Sequence, residues 1–256
     1  MNGEILRIFD THAHYDDEAF DEDRDELLNA IHTRGVEKII NCGCDLKSSL
    51  AAIDLAEKFG FVFAAAGIHP ESVTELADDE FERVRELYSH PKVVAVGEIG
   101  LDYYWDMPRD LQFAAFERQL ILSKELDLPV IIHDREAHED TLKLLKKHKV
   151  KGVMHCYSGS VETMKEIIDL GLYVGLGGVV TFKNAKKPIA VAAAVPEDRL
   201  LLETDCPYMA PVPFRGKRCD SSMIAETAKV IAAVRGVEPQ ALVDKCAKNA
   251  KALFGI

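Results

Sequence analysis

Residues 93–133 read VVAVGEIGLDYYWDMPRDLQFAAFERQLILSKELDLPVIIH. The stretch begins with the apolar run Val93–Val96 and ends with a second apolar run, Pro129–Ile132. Between them, Pro108–Asp127 keeps apolar residues on one side at helical spacing. This order predicts a parallel βαβ unit, because two parallel strands need a crossover connection and a helix usually supplies it.

The same alternation extends over the whole chain. Six further apolar runs are separated by segments of helical periodicity, and they are Ile5–Phe9, Val36–Cys42, Phe61–Ala66, Gly152–Met154, Leu172–Leu176 and Arg199–Leu202. A final pair of helices is predicted near Ser221–Arg235 and Pro239–Phe254. Eight such strands in 256 residues predict an α/β fold, a single (β/α)₈ TIM barrel. No linker or low-complexity tract divides residues 1–256, so we predict one domain.

An open doubly wound sheet would show the same alternation of strands and helices. That fold usually carries a glycine-rich turn after an early strand, and this chain has no GxGxxG or Walker-type loop. The sequence LGGV at 176–179 has no lysine at phosphate-loop spacing, so it indicates a tight strand end. The barrel is therefore favoured.

Composition limits the partners and the compartment. The chain has 31 Lys and Arg against 43 Asp and Glu, a net charge of −12, so any contact with nucleic acid must be local. Six scattered cysteines without a CxxC pair predict reduced thiols. No apolar run approaches the roughly 18 residues of a membrane span, and no leader is evident, so we expect a cytoplasmic protein. The sequence indicates no obligate protein partner.

Ionisable residues stand at the ends of most of the apolar runs. The residues are His12 and His14 at the first run, His69 at the third, Glu98 at the fourth, His133 at the fifth, His155 at the sixth and Asp205 at the eighth. In a barrel of parallel strands these positions converge on the C-terminal face, where the active sites of this fold lie. The sequence therefore predicts a site built by several strands.

Six of these residues are suitable metal ligands: His12, His14, Glu98, His133, His155 and Asp205. The two imidazoles of His-x-His turn to the same side of an extended segment and can hold one ion. Six ligands exceed the three or four that one catalytic zinc takes, so we predict two divalent ions bridged by Glu98. The alternative for Glu98 is a structural carboxylate paired with an arginine. Imidazole favours Zn²⁺, Mn²⁺ or Fe²⁺ and Mg²⁺ prefers oxygen, so the identity of the metal stays open.

Four further residues are predicted to contact the substrate: His69, Arg135, Arg215 and Tyr103. Arg135 and Arg215 supply cations at strand ends, with solvated surface positions as the alternative. Tyr103 begins the aromatic triplet Tyr103–Trp105, whose rings can stack on a base or a sugar or simply pack. The remaining histidines, which lie in charged helical segments, are predicted to be solvated: His32, His90, His138 and His148.

Together these motifs resemble the TatD-related deoxyribonuclease family over essentially the whole chain. The matching segments, in order, are DTHAH at 10–14, GIHP at 67–70, GEIGLDY at 97–103, PVIIH at 129–133, HCYSG at 155–159 and LLETDCPY at 201–208. After Arg-Gly-Lys the family usually continues with Asn-Glu-Pro, where this chain has RCDSS at 218–222. That departure puts substrate contact in this loop in doubt.

The resemblance implies a metal-dependent hydrolase of the amidohydrolase-like superfamily that cuts DNA phosphodiesters, from a 3′ end. In this interpretation His12, His14, Glu98 and Asp205 hold one ion, and Glu98, His133 and His155 hold the other. Asp205 also accepts a proton from the attacking water, so Glu98 and Asp205 are the catalytic carboxylates. One alternative is an amidohydrolase-like enzyme acting on a small amide, ester or lactone. Another is a nucleic-acid binding module without catalysis.

Overall fold

A computed structural model describes residues 5, 7–75 and 78–256. Within these residues, eight parallel strands lie side by side in chain order in one sheet. The strands are β1 (Ile8–Ala13), β2 (Val36–Cys42), β3 (Val62–Ala66), β4 (Val93–Asp102), β5 (Val130–Arg135), β6 (Gly152–Met154), β7 (Tyr173–Leu176) and β8 (Leu200–Leu202).

A helix follows each strand and packs on the outside of the barrel. The helices are α1 (Arg24–Thr33), α2 (Leu46–Lys58), α3 (Asp78–Leu87), α4 (Arg109–Leu126), α5 (His138–His148), α6 (Val161–Asp169), α7 (Lys186–Ala194), α8 (Ile224–Arg235) and α9 (Pro239–Phe254). Strands buried on both faces explain the continuous apolar runs, and all ten residues of β4 are buried. The predicted TIM barrel is confirmed.

Three strands differ from their predicted bounds in a way that matters for the site. Strand β1 runs from Ile8 to Ala13 and so includes His12. The predicted run also contains Leu6, which lies outside the described residues. Strands β4 and β5 continue past their apolar runs, so Glu98 and His133 lie within strands instead of after them. The apolar pattern ends where side chains become polar, but the backbone pairing continues.

The barrel closes at a seam where β8 meets β1. Among the described residues the two strands share no continuous ladder, only an isolated bridge between Ala13 and Cys206. Two backbone hydrogen bonds support it, from His14 to the Cys206 carbonyl (2.8 Å) and from Asp205 to the His12 carbonyl (3.0 Å). The seam therefore carries two of the predicted ligands, His12 and Asp205.

Buried side chains complete the seam. The Asp10 carboxylate accepts hydrogen bonds from the Thr204 amide (3.0 Å) and the Thr204 hydroxyl (2.5 Å). Burial raises the pKa of Asp10 to about 6, although these bonds oppose the shift. From outside, α9 packs against both β1 and β8, and Phe254 contacts Phe9 with ring centres 6.3 Å apart.

No helix among the described residues is long and apolar enough to cross a membrane. The cytoplasmic location and the single domain over residues 1–256 stay predictions.

Candidate active site

Four of the predicted ligands surround one point at the C-terminal end of the barrel. The Nε2 atoms of His12 and His14 are 3.0 Å apart. Glu98 Oε2 lies 3.2 Å from His12 Nε2 and 3.6 Å from His14 Nε2. Asp205 Oδ1 lies 3.6 Å and 3.5 Å from the same two nitrogens. As expected for His-x-His on a strand, both imidazoles turn to the same side.

The other oxygen of Glu98 faces a second group. Glu98 Oε1 lies 2.7 Å from His155 Nε2 and 2.9 Å from His133 Nδ1, and these two nitrogens are 3.3 Å apart. The structure therefore brings all six predicted ligands together. It also places one oxygen of Glu98 in each group.

The glycines around Glu98 allow this close approach. A Cβ on Gly97 would lie 2.7 Å from the Ile131 Cβ. Gly100 has φ +151°, and a Cβ there would lie 1.9 Å from the His133 carbonyl oxygen. Glycine is thus required where β4 passes β5.

Further hydrogen bonds orient the imidazoles. His14 Nδ1 lies 3.0 Å from the Cys42 carbonyl, and His133 Nε2 lies 2.9 Å from Asp102 Oδ2. Each contact uses one ring nitrogen and leaves the other directed at Glu98, an arrangement typical of metal-binding histidines. Asp102 was missed in the sequence. Its position four residues after Glu98 on one strand, and hence on the same face, was the available signal.

His155 is oriented differently, by ring stacking. Its ring lies against His12 with centres 3.9 Å apart, and its buried Nδ1 has no hydrogen-bond partner among the described residues. The nearest carboxylate oxygen, Glu203 Oε1, is 3.9 Å away and accepts the Cys156 amide at 2.5 Å. Complete burial raises the pKa of Glu203 to about 8. Glu203 was also missed, although it stands two residues before Asp205.

Two carboxylates, Glu98 and Asp205, supply negative charge to the site. Burial opposes ionisation of Glu98, but His155, His12 and His69 outweigh it and hold the pKa well below its usual value. Burial likewise opposes ionisation of Asp205, whose pKa is nevertheless lowered, first by a hydrogen bond with His14. Burial lowers the pKa of His12 to about 4. Ionised carboxylates beside a neutral imidazole are a donor set that suits a divalent cation.

His69 lies in the wall of the same cavity. Burial lowers the pKa of His69 to about 3, so the ring is neutral. Its Nδ1 accepts the Glu71 amide hydrogen at 3.2 Å, which places the ring proton on Nε2, 3.6 Å from Glu98 Oε1. The ligand atoms of His69, Glu98 and His133 lie within 4.8 Å of one another, close enough to hold a metal ion. We favour a hydrogen-bond donor, because a protonated Nε2 has no lone pair for a metal.

The aromatic triplet divides between packing and the cavity. Tyr103 packs against the core, donates its hydroxyl hydrogen to Asp140 (2.8 Å) and lies under the Arg109 guanidinium (4.1 Å). It is absent from the cavity wall, so the substrate contact at Tyr103 stays a prediction that the cavity does not support. Trp105 lines the cavity instead, and about half of its surface is exposed.

The two predicted arginines occupy different places. Arg135 lines the cavity, with its guanidinium 3.6 Å from the centre of the Tyr104 ring. Arg215 is exposed outside the cavity wall and lies 3.7 Å from the centre of the Phe182 ring.

Two residues of the segment that departs from the family pattern make structural contacts. Arg218 pairs with both oxygens of Asp23 (2.8 and 2.6 Å) and bonds the Ala19 carbonyl (2.7 Å). The Ser221 amide donates to the buried Tyr15 hydroxyl at 2.9 Å. These contacts attach the loop after β8 to the loop after β1.

The four remaining histidines lie outside the site, as predicted. Three of them are only partly solvated, because each is partly buried and paired with a carboxylate. The pairs are His90 with Glu57 (3.1 Å), His138 with Asp134 (2.7 Å) and His148 with Glu117 (2.7 Å).

Five of the six residues, all but the fully buried His12, line a cavity of about 910 Å³. Comparison with known proteins identifies the arrangement, since the sequence profile of the TatD related DNase family matches residues 9–255. The chain belongs to this family. The resemblance seen in the motifs is thereby confirmed, and the chain is a metal-dependent hydrolase.

Relatives in the TatD related DNase family match almost end to end. The chain is 42% identical to the uncharacterized metal-dependent hydrolase YabD of Bacillus subtilis, over 97% of this chain and 99% of that protein. It is 34% identical to the 3'-5' ssDNA/RNA exonuclease TatD of Klebsiella pneumoniae, over 97% and 98%. The crystal structure of the TatD homologue YjjV from Escherichia coli K12 superposes with a TM-score of 0.92 at 33% identity, covering 98% of this chain and 99% of that one.

Proposed function

We propose that the chain hydrolyses phosphodiester bonds at the end of a single-stranded DNA or RNA strand, using two divalent cations. One observation carries the proposal. The two oxygens of Glu98 face separate groups of imidazoles, Oε2 toward His12 and His14 and Oε1 toward His133 and His155.

The distances within the first group fit a metal ion. Four ligands in tetrahedral geometry around zinc lie roughly 3.3 Å from one another, given bonds of about 2.0 Å. The five measured distances among His12, His14, Glu98 and Asp205 run from 3.0 to 3.6 Å. The second group, His133, His155 and Glu98 Oε1, offers three donors and leaves room for water or substrate. Zn²⁺ and Mn²⁺ suit these nitrogen-rich sets better than Mg²⁺.

The protein groups have distinct tasks. Two bound cations would activate water and stabilise charge on the attacking and leaving oxygens of a phosphodiester. Asp205 presents Oδ1 to the first group, and its second oxygen can accept the proton of the attacking water. His69 can donate its Nε2 hydrogen to a phosphate oxygen, and Arg135 can pair with a phosphate at the cavity wall.

Nucleic acid is the substrate class best supported. The relative from Klebsiella pneumoniae is named as a 3'-5' exonuclease of single-stranded DNA and RNA. The cavity joins the carboxylate and imidazole cluster to Arg135 and to Trp105, whose ring can stack on a base. A small amide, ester or lactone would need neither of these residues.

The test compares three substrates: single-stranded oligothymidylate labelled at its 5′ end, the same strand labelled at its 3′ end, and a panel of small esters and amides. We expect removal of metal by a chelator to abolish cleavage, and Zn²⁺ or Mn²⁺ to restore it. Stepwise shortening of the 5′-labelled strand would support cleavage from the 3′ end. Faster turnover of an ester or amide than of the oligonucleotide would contradict the proposal, as would full turnover by protein shown to be metal-free by elemental analysis.

A further inference from the structure

The loops after β7 and β8 contact each other beside the cavity. The Val212 amide donates to Thr181 Oγ1 at 2.8 Å, and the Arg215 guanidinium lies 3.7 Å from the centre of the Phe182 ring. Both loops contribute to the cavity wall, through Val179, Val180, Tyr208 and Met209, and Pro188 in the first turn of α7 continues it. They therefore form one continuous border of the cavity mouth.

This border carries only positive charge. Residues 170–196 and 206–219 contain no Asp or Glu. They present five exposed cations, which we call the cationic ridge: Lys183, Lys186, Lys187, Arg215 and Lys217. Arg218 is excluded because it is paired with Asp23. No ion pair joins any residue of the ridge to an acidic residue in the described part of the chain.

Apart from Arg135, the charged residues in the rest of the mouth are mainly acidic. Asp16, Asp45 and Glu71 line the cavity from the loops after β1, β2 and β3, and Asp134 lines it from the end of β5. With a net charge of −12 on the whole chain, most of the surface repels a polyanion. The cationic ridge is the part of the surface beside the site that would attract the phosphates of a nucleic-acid strand.

Helix stability does not explain the lysines of the ridge. Lys186 and Lys187 are the first two residues of α7, where the helix dipole favours acidic side chains. Other helices of the barrel follow that preference, with Glu139 and Asp140 in the first turn of α5 and Glu162 in that of α6. The exposed positive charge at the start of α7 therefore points to a ligand outside the fold.

We propose that the cationic ridge binds the phosphates of the substrate strand that lie outside the cavity. This inference rests on the proposed function and extends it. The enzyme would act on oligonucleotide chains in preference to isolated dinucleotides or small diesters, because phosphates several residues from the cleaved bond contribute to binding. Such contacts position the strand without reading its sequence.

The test uses one ridge variant that removes three positive charges together, by Lys183→Ala, Lys186→Ala and Lys187→Ala. The control removes three exposed lysines from the outer helices, as Lys124→Ala, Lys165→Ala and Lys248→Ala, and changes the net charge equally. Binding of a fluorescent phosphorothioate oligothymidylate to the metal-loaded enzyme is measured by anisotropy at several salt concentrations. Hydrolysis of oligothymidylate and of bis(p-nitrophenyl) phosphate is measured in parallel.

Each phosphate contact on a single strand contributes roughly 0.7 to the slope of log affinity against log salt, so the ridge variant should lose a slope of about 2. When salt rises from about 50 to 200 mM, the loss of affinity should then be roughly 20-fold smaller for the ridge variant than for the wild type. Its kcat/KM should drop for the oligonucleotide and change little for the small diester. The control variant should match the wild type.

Equal losses in the ridge and control variants would overturn the inference, and so would an unchanged salt slope. Binding of the ridge to phosphatidylserine vesicles without binding to the oligonucleotide would overturn it as well. If the wild-type enzyme binds the oligonucleotide through the ridge but cleaves neither phosphodiester, the ridge stands and the proposed function fails.

Discussion

Asp102→Asn tests whether the second group of ligands holds its own ion. In the native protein Asp102 Oδ2 accepts a hydrogen from His133 Nε2 (2.9 Å), while Oδ1 accepts the Tyr104 amide hydrogen (2.9 Å). An asparagine can satisfy only one of these donors. If its NH₂ faces His133, the ring must move its proton to Nδ1, the atom that faces Glu98. The backbone should hold, because Gln112 bonds both the amide and the carbonyl of residue 102 (2.8 Å each).

Loss of such a supporting carboxylate typically weakens metal affinity by roughly 10- to 100-fold, or about 1.4 to 2.7 kcal/mol. We expect competition titration with a chromophoric chelator to show one weakened ion per chain and one unchanged ion. Asp134→Asn is the matched control, because Asp134 lines the same cavity and pairs with His138 at 2.7 Å, away from Glu98. The reasoning is refuted if both variants lose the same affinity, or if Asp102→Asn weakens both ions equally.

Three further predictions concern single residues of the site. Glu98→Ala should lose both ions by elemental analysis and all turnover, whereas His90→Ala, which removes only a surface pair with a glutamate, should keep wild-type metal content and rate. Asp205→Asn should lower kcat by roughly 10²-fold or more at saturating metal, because the proton acceptor is lost while size is kept; wild-type turnover with a full metal complement would exclude this role. Trp105→Ala should raise KM for oligothymidylate. Tyr103→Ala, which also removes an aromatic ring, should leave KM unchanged and cost at least about 1 kcal/mol of stability in denaturant unfolding, through the lost hydrogen bond to Asp140 and lost packing; the opposite pattern in KM would support Tyr103 as the stacking residue.

The sequence predicts the fold and the ligand set for the same physical reason. Strands buried on both faces must be apolar, so a histidine or carboxylate at the end of a run, such as His133 or His155, marks the rim of the barrel. Asp102 and Glu203 could not be assigned in this way. Their roles depend on which ring nitrogen of a neighbouring histidine faces away from Glu98 and needs a hydrogen-bond partner. Periodicity also says nothing about the direction of a loop, so the sequence indicates Tyr103 as a substrate contact where the structure places Trp105 in the cavity wall.

The seam between β1 and β8 gives the metal a second task. His12 and Asp205 stand on opposite sides of the seam and far apart in the sequence, so an ion held by both would act as a reversible cross-link. A cross-link that spans most of a chain removes much of the conformational freedom of the unfolded state. An ion at about 100 times its dissociation constant adds about 2.7 kcal/mol to the free energy of unfolding. Removal of the metal should therefore accelerate hydrogen exchange most at the amides of His14 and Asp205, and starvation for metal should shorten the lifetime of the folded chain.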